Sequence, residues 1–253
     1  MRTIPASCLA SCDNSSMLYA GTSGFAYASW KPAFYPPKLP SKRFLEHYAS
    51  RLNCVEINYT FRAAPKASLL ENWMRDSPAG FLFCPKAHQR ITHFGRLKAD
   101  SDFTQFFLKS LDPLRASQRL GPILFQLPPN FQRDDAVLGG FLSVVPAGLR
   151  CSFEFRHESW WDGAVYEILK KHNAALCWAE SEERDVPKVL TADFAYLRLR
   201  KTDYTPQERE ALLGGVRQWV KQTEDVFVFF KHEDTPEGAL YAEDLLKRVS
   251  EIP

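Results

Sequence analysis

The sequence predicts an α/β protein folded as a single-domain TIM-like (β/α)8 barrel, on three observations. Eight short apolar runs rich in Val, Ile, Phe and Tyr recur from Leu18 onward, each followed by a polar turn and most by a helix-like segment. Runs this apolar belong to strands covered on both faces, as in a parallel sheet. The 253 residues fit eight such units, and no Pro/Gly/Ser-rich linker divides them. A doubly wound open sheet is the alternative. It would carry a Gly-rich phosphate turn after its first strand, and the GTSG found there is not GxGxxG.

In chain order, residues 1–17 form an expected flexible tail ahead of a barrel domain at 18–253. The tail is polar and small, without the apolar stretch of a secretion signal, and Met17 is an alternative start. The strand runs are LYAGTSG (18–24), CVEINYT (54–60), FLFCPKA (81–87), PILFQLP (122–128), CSFEFR (151–156), AALCWAE (174–180), FAYLRLR (194–200) and DVFVFFKH (225–232). Helical patterns fill 41–52, 66–76, 102–117, 134–145, 164–172, 206–222 and 236–249. Pro206 and Pro236 suit first helical turns, with Thr205 and Thr235 before them as N-caps. Residues 181–190 are too short and charged for more than one turn of helix.

Composition excludes several classes. With 45% hydrophobic and 25% charged residues the chain is neither fibrous nor disordered, and no run reaches the ~18–20 apolar residues of a membrane span. A formal net charge of +2 gives no global field for nucleic acid, so any anion binding must come from local clustering. Six cysteines without a CxxC or a Cys/His zinc spacing, four of them inside apolar runs, read as buried free thiols in a reducing cytosol. The expected location is therefore cytoplasmic.

The chemistry is read from strand parity. In CSFEFRHESWW (151–161), Cys151, Phe153 and Phe155 share one face and Ser152, Glu154 and Arg156 the other. If the apolar set of each strand meets the helices, the polar set lines the barrel mouth, where TIM-barrel active sites lie. That set comprises Ser23, Glu56, Asn58, Lys86, Gln126, Glu154, Arg156, Glu180, Arg198, Arg200 and Lys231. Five cations against three carboxylates make a focused positive site. A satisfied ionic network closing the barrel is the bland reading. The cost of desolvating so many charges, several kcal/mol each, favours a ligand between them. Arginine's fork matches phosphate or carboxylate oxygens.

The KAHQRITHF loop adds His88 and His93, and HESWW adds His157, Trp160 and Trp161. Histidines carry protons near neutral pH, although a loop histidine is more often structural. Tryptophans at a helix start more often seal a core than stack on a ligand. No cofactor is expected. A divalent metal is the lesser alternative, since Glu56, Glu154, Glu180, His157 and His232 could supply ligands but show no spaced motif. No GxSxG elbow points to a serine nucleophile.

In order along the chain, GTSGFAYASW, VEINYTF, KAHQRITHF, ILFQLPPNF, FEFRHESWW and VFVFFKHEDTPEGA resemble the successive motifs of the DUF72 family, the YecE-like proteins of uncharacterised function. The resemblance runs from about Tyr19 to Leu246 and implies a TIM-barrel-like fold, with no established activity or catalytic residues. Three places depart from the family pattern, at Arg62, at RLRKTDY (198–204) and at Phe230, Lys231 and His232. Each adds positive charge.

The favoured expectation is an enzyme, hydrolase or isomerase, acting on a small phosphorylated or carboxylated substrate. Glu56, Glu154 and His157 are its candidate catalytic groups. Ser23, Asn58, Lys86, His93, Gln126, Arg156, Trp160, Arg198, Arg200 and Lys231 are its candidate substrate contacts. The alternatives are a nucleic-acid-binding or nucleic-acid-processing factor that stacks bases on Trp160, Phe94 or Tyr204, and a noncatalytic sensor of an anionic ligand. No membrane partner is expected.

Overall fold

The computed structural model describes residues 16–180, 186–231 and 234–250. Eight strands, all pairing in parallel, form the inner wall: β1 Met17–Thr22, β2 Cys54–Ile57, β3 Leu82–Pro85, β4 Ile123–Gln126, β5 Cys151–Glu154, β6 Ala175–Ala179, β7 Phe194–Leu199 and β8 Asp225–Phe230. Six make a continuous curled sheet in the order β1-β8-β7-β6-β5-β4, and β2 pairs with β3. Single bridges from Ser23 to Glu56 and from Lys86 to Leu124 join the two sheets. At these seams the Gly24 amide donates to the Glu56 carbonyl (2.8 Å) and the Ala87 amide to the Leu124 carbonyl (2.8 Å). The result is a TIM-like (β/α)8 barrel.

The helices are α1 Phe44–Ala49, α2 Ala67–Arg75, α3 Asp102–Ser110, α4 Asp112–Ala116, α5 Asp135–Val144, α6 Gly163–Lys171, α7 Pro206–Val220 and α8 Glu237–Ser250. The helix expected over 102–117 is two helices, because Pro113 has no N–H to continue the first helix's ladder. Thr205 caps α7 in a reciprocal capping box with Glu208. The cap expected from Thr235 fails. Its hydroxyl is buried with no hydrogen-bond partner among the described residues. Between β6 and β7, residues 186–193 carry no helix, and 181–185 lie outside the described residues. The strands stop one to three residues short of most apolar runs; NYT, for example, ends β2 in a single 3-10 turn at Tyr59–Phe61.

Alternation sorts the core as the parity predicts. Leu197, Leu199, Val226, Val228 and Phe230 face one helix-side cluster, and Phe125, Cys151, Phe153 and Phe155 face another. The opposite parity, Cys54, Cys84, Leu124, Cys177, Tyr196, Phe227 and Phe229, fills the barrel lumen. The lumen is therefore a packed floor of thiols and aromatics. Cys54, Cys84, Cys151 and Cys177 are free and buried, and burial pushes the Cys151 thiol up to about 12. Cys8 and Cys12 lie outside the described residues.

Candidate functional site

Above that floor Arg198 crosses the lumen from β7. Its Nε and Nη2 donate to the two oxygens of Glu56 on β2 (2.9 and 2.8 Å), and its Nη1 donates to Glu154 Oε2 on β5. All three side chains are buried to within 2% of complete. Ser23 Oγ (2.7 Å) and Tyr196 Oη (2.9 Å) also donate to Glu56, which thus accepts four hydrogen bonds, about the capacity of a carboxylate. Burial opposes the charge of Arg198, but Glu56 and Glu154 outweigh it and hold the guanidinium protonated well beyond its ordinary range.

Glu154 passes this buried pairing outward. Its Oε1 accepts from Gln126 Nε2 (2.8 Å), Arg156 Nε (3.1 Å) and Arg200 Nη2 (2.7 Å). Burial raises the Glu154 carboxyl, but Arg198, Arg200 and Arg156 together outweigh it and hold the group well below the usual carboxylate range. Glu154 is a fixed anion and a poor proton carrier. Arg156 and Arg200 are partly exposed, and Arg200 Nε is buried with no hydrogen-bond partner among the described residues. Two guanidinium groups thus meet on one carboxylate oxygen at the mouth of the barrel.

Lys86 stands beside them at the end of β3. Its backbone is locked: the amide donates to the Ile57 carbonyl (3.0 Å), and the carbonyl accepts from Thr60 Oγ1 (2.8 Å). Its Nζ donates to Gln126 Oε1 (2.9 Å) and lies 4.3 Å from the centre of the Phe61 ring. Burial, then Arg198 and Arg156, lower the Lys86 ammonium to about 8 against the opposing pull of Glu56 and Glu154. His93 packs edge-on against the same Phe61 ring (5.0 Å between centres). Burial foremost, then the charges of Lys86 and Arg156, lower its imidazole, so it is neutral at neutral pH.

His93 is presented by a π-helical turn, Arg90–Phe94, closed by the Gly95 amide on the Arg90 carbonyl (2.9 Å). Such turns are rare and recur at functional sites. A side chain at position 95 would put its Cβ 2.5 Å from the Arg90 oxygen, so the turn requires glycine.

Ser23, Glu56, Lys86, Gln126, Glu154, Arg156, Arg198 and Arg200 therefore form one connected cluster, with His93 beside it. Asn58 is peripheral, its amide reaching only the Ser23 carbonyl at 3.4 Å. Lys231 follows β8, with its amide on the Leu199 carbonyl (2.8 Å) and its side chain partly exposed.

Several expectations are corrected. Trp160 is fully buried, stacked on Phe155 (4.7 Å) with its Nε1 on the Phe131 carbonyl (2.7 Å), and offers no face to a ligand. Tyr204 is likewise buried, with its hydroxyl on Glu180. Of the three aromatics expected to stack on bases only Phe94 is exposed, at 74%. Arg198 is buried beneath the mouth, with its three guanidinium nitrogens donating to Glu56 and Glu154. Glu180 has the opposite parity from Ala179, which pairs with Arg198 and faces inward. It leaves the lumen to accept the Arg200 amide (2.8 Å) and the Lys201 amide (3.1 Å), pinning the start of the β7–α7 loop. His157 caps the short turn at Glu158–Trp160, where its Nδ1 accepts from the Ser159 amide (3.2 Å). His88 is buried and held between the Arg62 carbonyl and the Arg90 amide. His232 lies outside the described residues.

Two members of the site escaped the sequence reading. Tyr196 shares the parity of Arg198, so the alternation in FAYLRLR carried its signal. Phe61 lies past the end of β2, where alternation no longer applies. Among the described residues no group of three or more His, Cys, Asp or Glu side chains is placed to hold a metal ion, and no helix is long and apolar enough to cross a membrane.

Known proteins resemble this chain in sequence and in fold. UPF0759 protein YunF of Bacillus subtilis is 28% identical, over 91% of this chain and 94% of its own. UPF0759 protein YecE of Escherichia coli K12 is 28% identical, over 82% and 88%. The crystal structure of a DUF72 family protein from Thermotoga maritima superposes with a TM-score of 0.82 at 25% identity, covering 93% of this chain and all of that one. One from Enterococcus faecalis superposes with a TM-score of 0.76 at 21% identity, over 91% and 96%. The sequence pattern of the family described as "Protein of unknown function DUF72" matches residues 19–252, and the chain belongs to that family.

Proposed function

We propose that this protein is an enzyme for a small carboxylated or phosphorylated substrate, whose anionic group is held by Arg156 and Arg200 while Lys86 and His93 do the chemistry. The observation that carries this reading is the convergence of Arg156, Arg200 and Gln126 on the single oxygen Glu154 Oε1, with Lys86 on the far side of Gln126. Glu56 and Arg198 neutralise each other below. Above them Arg156 and Arg200 meet on Glu154, and Lys86 stands beyond Gln126, so cations gather on rigid strand ends.

Roles shift from those expected. Glu56 and Glu154 each accept four hydrogen bonds, so they position the cations and transfer no proton. Lys86, whose ammonium burial and neighbouring arginines lower to about 8, and His93, whose imidazole burial lowers, both lie against Phe61. Proton transfer to and from the bound molecule, as in hydrolysis or isomerisation, falls to them, with the arginines stabilising developing negative charge.

Calorimetric titration with inorganic phosphate and with a small dicarboxylate tests the anion site. The wild-type protein is expected to bind at least one of them, and Arg200→Gln to weaken that binding by about tenfold, the loss of one charge-assisted bond. Equal affinity in the two proteins, or no binding of either probe, overturns the assignment.

A further inference from the structure

We infer that Lys86 is an amine nucleophile, whose Nζ condenses with the carbonyl carbon of a small aldehyde or ketone that carries the anionic group held by Arg156 and Arg200. This rests on the anion site proposed above and adds the substrate's reactive group.

A lysine that serves only to clamp an anion works as a charged ammonium and is ordinarily balanced by a carboxylate. Lys86 makes no ion pair among the described residues. Its hydrogen-bond partner is the neutral carbonyl oxygen of Gln126, which is turned toward it because the Gln126 amide donates to Glu154. One side of Nζ is covered by Phe61, and Arg198 and Arg156 repel its proton. Partial desolvation beside cations is one of the ways a protein makes a lysine nucleophilic, because both effects favour the neutral amine. The placement suits the role: the strand end fixes the backbone, and Gln126 Oε1 accepts equally from an ammonium or an amine.

The step balances without a further reactant. The Lys86 ammonium first gives a proton to neutral His93, directly or through solvent. The freed lone pair attacks the carbonyl carbon, a C–N bond forms, and the carbonyl electron pair moves to oxygen; the extra proton on nitrogen then shifts to that oxygen, giving a neutral carbinolamine. The proton lent to His93 returns to the hydroxyl, the C–O bond breaks, water leaves, and the nitrogen lone pair closes the C=N bond of an iminium ion. The iminium withdraws electrons from the neighbouring carbon, which permits loss of a proton or of a carbon substituent there.

The test uses the full-length protein with pyruvate or glyceraldehyde 3-phosphate as probe and sodium cyanoborohydride to reduce any imine to a stable amine. Peptide mass mapping then locates the label. The expected result is labelling of Lys86 at least about tenfold faster than of exposed Lys66 or Lys109, as a lower amine pKa and a neighbouring anion site allow. Its rate should rise with pH to a plateau above about 8. Inorganic phosphate should slow it, and Arg200→Gln, checked for folding by circular dichroism, should slow it further. Labelling of Lys86 no faster than of the surface lysines, with both probes, overturns the inference. If phosphate binding is intact in that case, the nucleophile alone is wrong; if phosphate binding is also absent, the anion site falls with it.

Discussion

Glu56 and Glu154 look alike in the sequence, each an acidic residue on the polar face of a strand, and in the fold each accepts four hydrogen bonds. They differ in their donors. Glu56 takes Ser23, Tyr196 and two from one arginine, and Glu154 takes Gln126 and three separate arginines. Parity located both but could not say that their lone pairs are spent, because that depends on side chains of other strands. Lys86 is the clearest case at this scale. Its ammonium is lowered from 10.5 to about 8 by folding, so between those values the unfolded chain binds more protons than the folded one. The Lys86 contribution therefore increases stability as pH rises from about 8 to 10.5 and imposes its full penalty below 8. Urea melts of wild type and Lys86→Met across pH 7 to 11 check this: the stability gain from the substitution should be largest at the low end and vanish at the high end.

Among the elements, the helices follow their caps and their prolines, and most of the expected ranges stand. The division at Pro113 is the main departure. The π turn over Arg90–Phe94 had no legible signal, since five residues are too few for periodicity and RITHF reads as an ordinary loop. Its requirement for Gly95 gives a test. Gly95→Ala forces the backbone at Arg90 to move, because the new Cβ would lie 2.5 Å from its oxygen. The expected outcome is displacement of His93 from Phe61 and a rise of its titration toward the ordinary histidine value, read by NMR. An unchanged His93 titration would show that the turn does not set its environment.

At the level of the whole molecule, Arg198 ties β2, β5 and β7 across the lumen, just above a floor of Cys54, Cys84, Cys177 and Phe229. Removing it leaves two buried carboxylates facing each other without their cation. Arg198→Met should cost about 3–5 kcal/mol in a chemical-denaturation curve, the usual loss when one partner of a buried ion pair is deleted. A loss below about 1 kcal/mol would mean that the carboxylates find other partners or that the lumen admits water. The same tie joins Arg198 to Glu56 and Glu154 below the mouth, while Arg156 and Arg200 meet Glu154 from above.

The sequence by itself determined the barrel and the face of nearly every strand residue. Alternation is a property of local chain geometry, and eight apolar runs must be covered on both sides wherever they pack. It could not determine which charges satisfy one another. Glu180 leaves the lumen because the loop after β7 supplies amides for it, and Trp160 goes into the core because Phe155 and the Phe131 carbonyl receive it. The depressed Lys86 arises from the burial that closing the barrel brings, and then from Arg198, more than a hundred residues away in sequence. Partners distant in sequence meet only in the folded chain, and electrostatics falls off with distance in space.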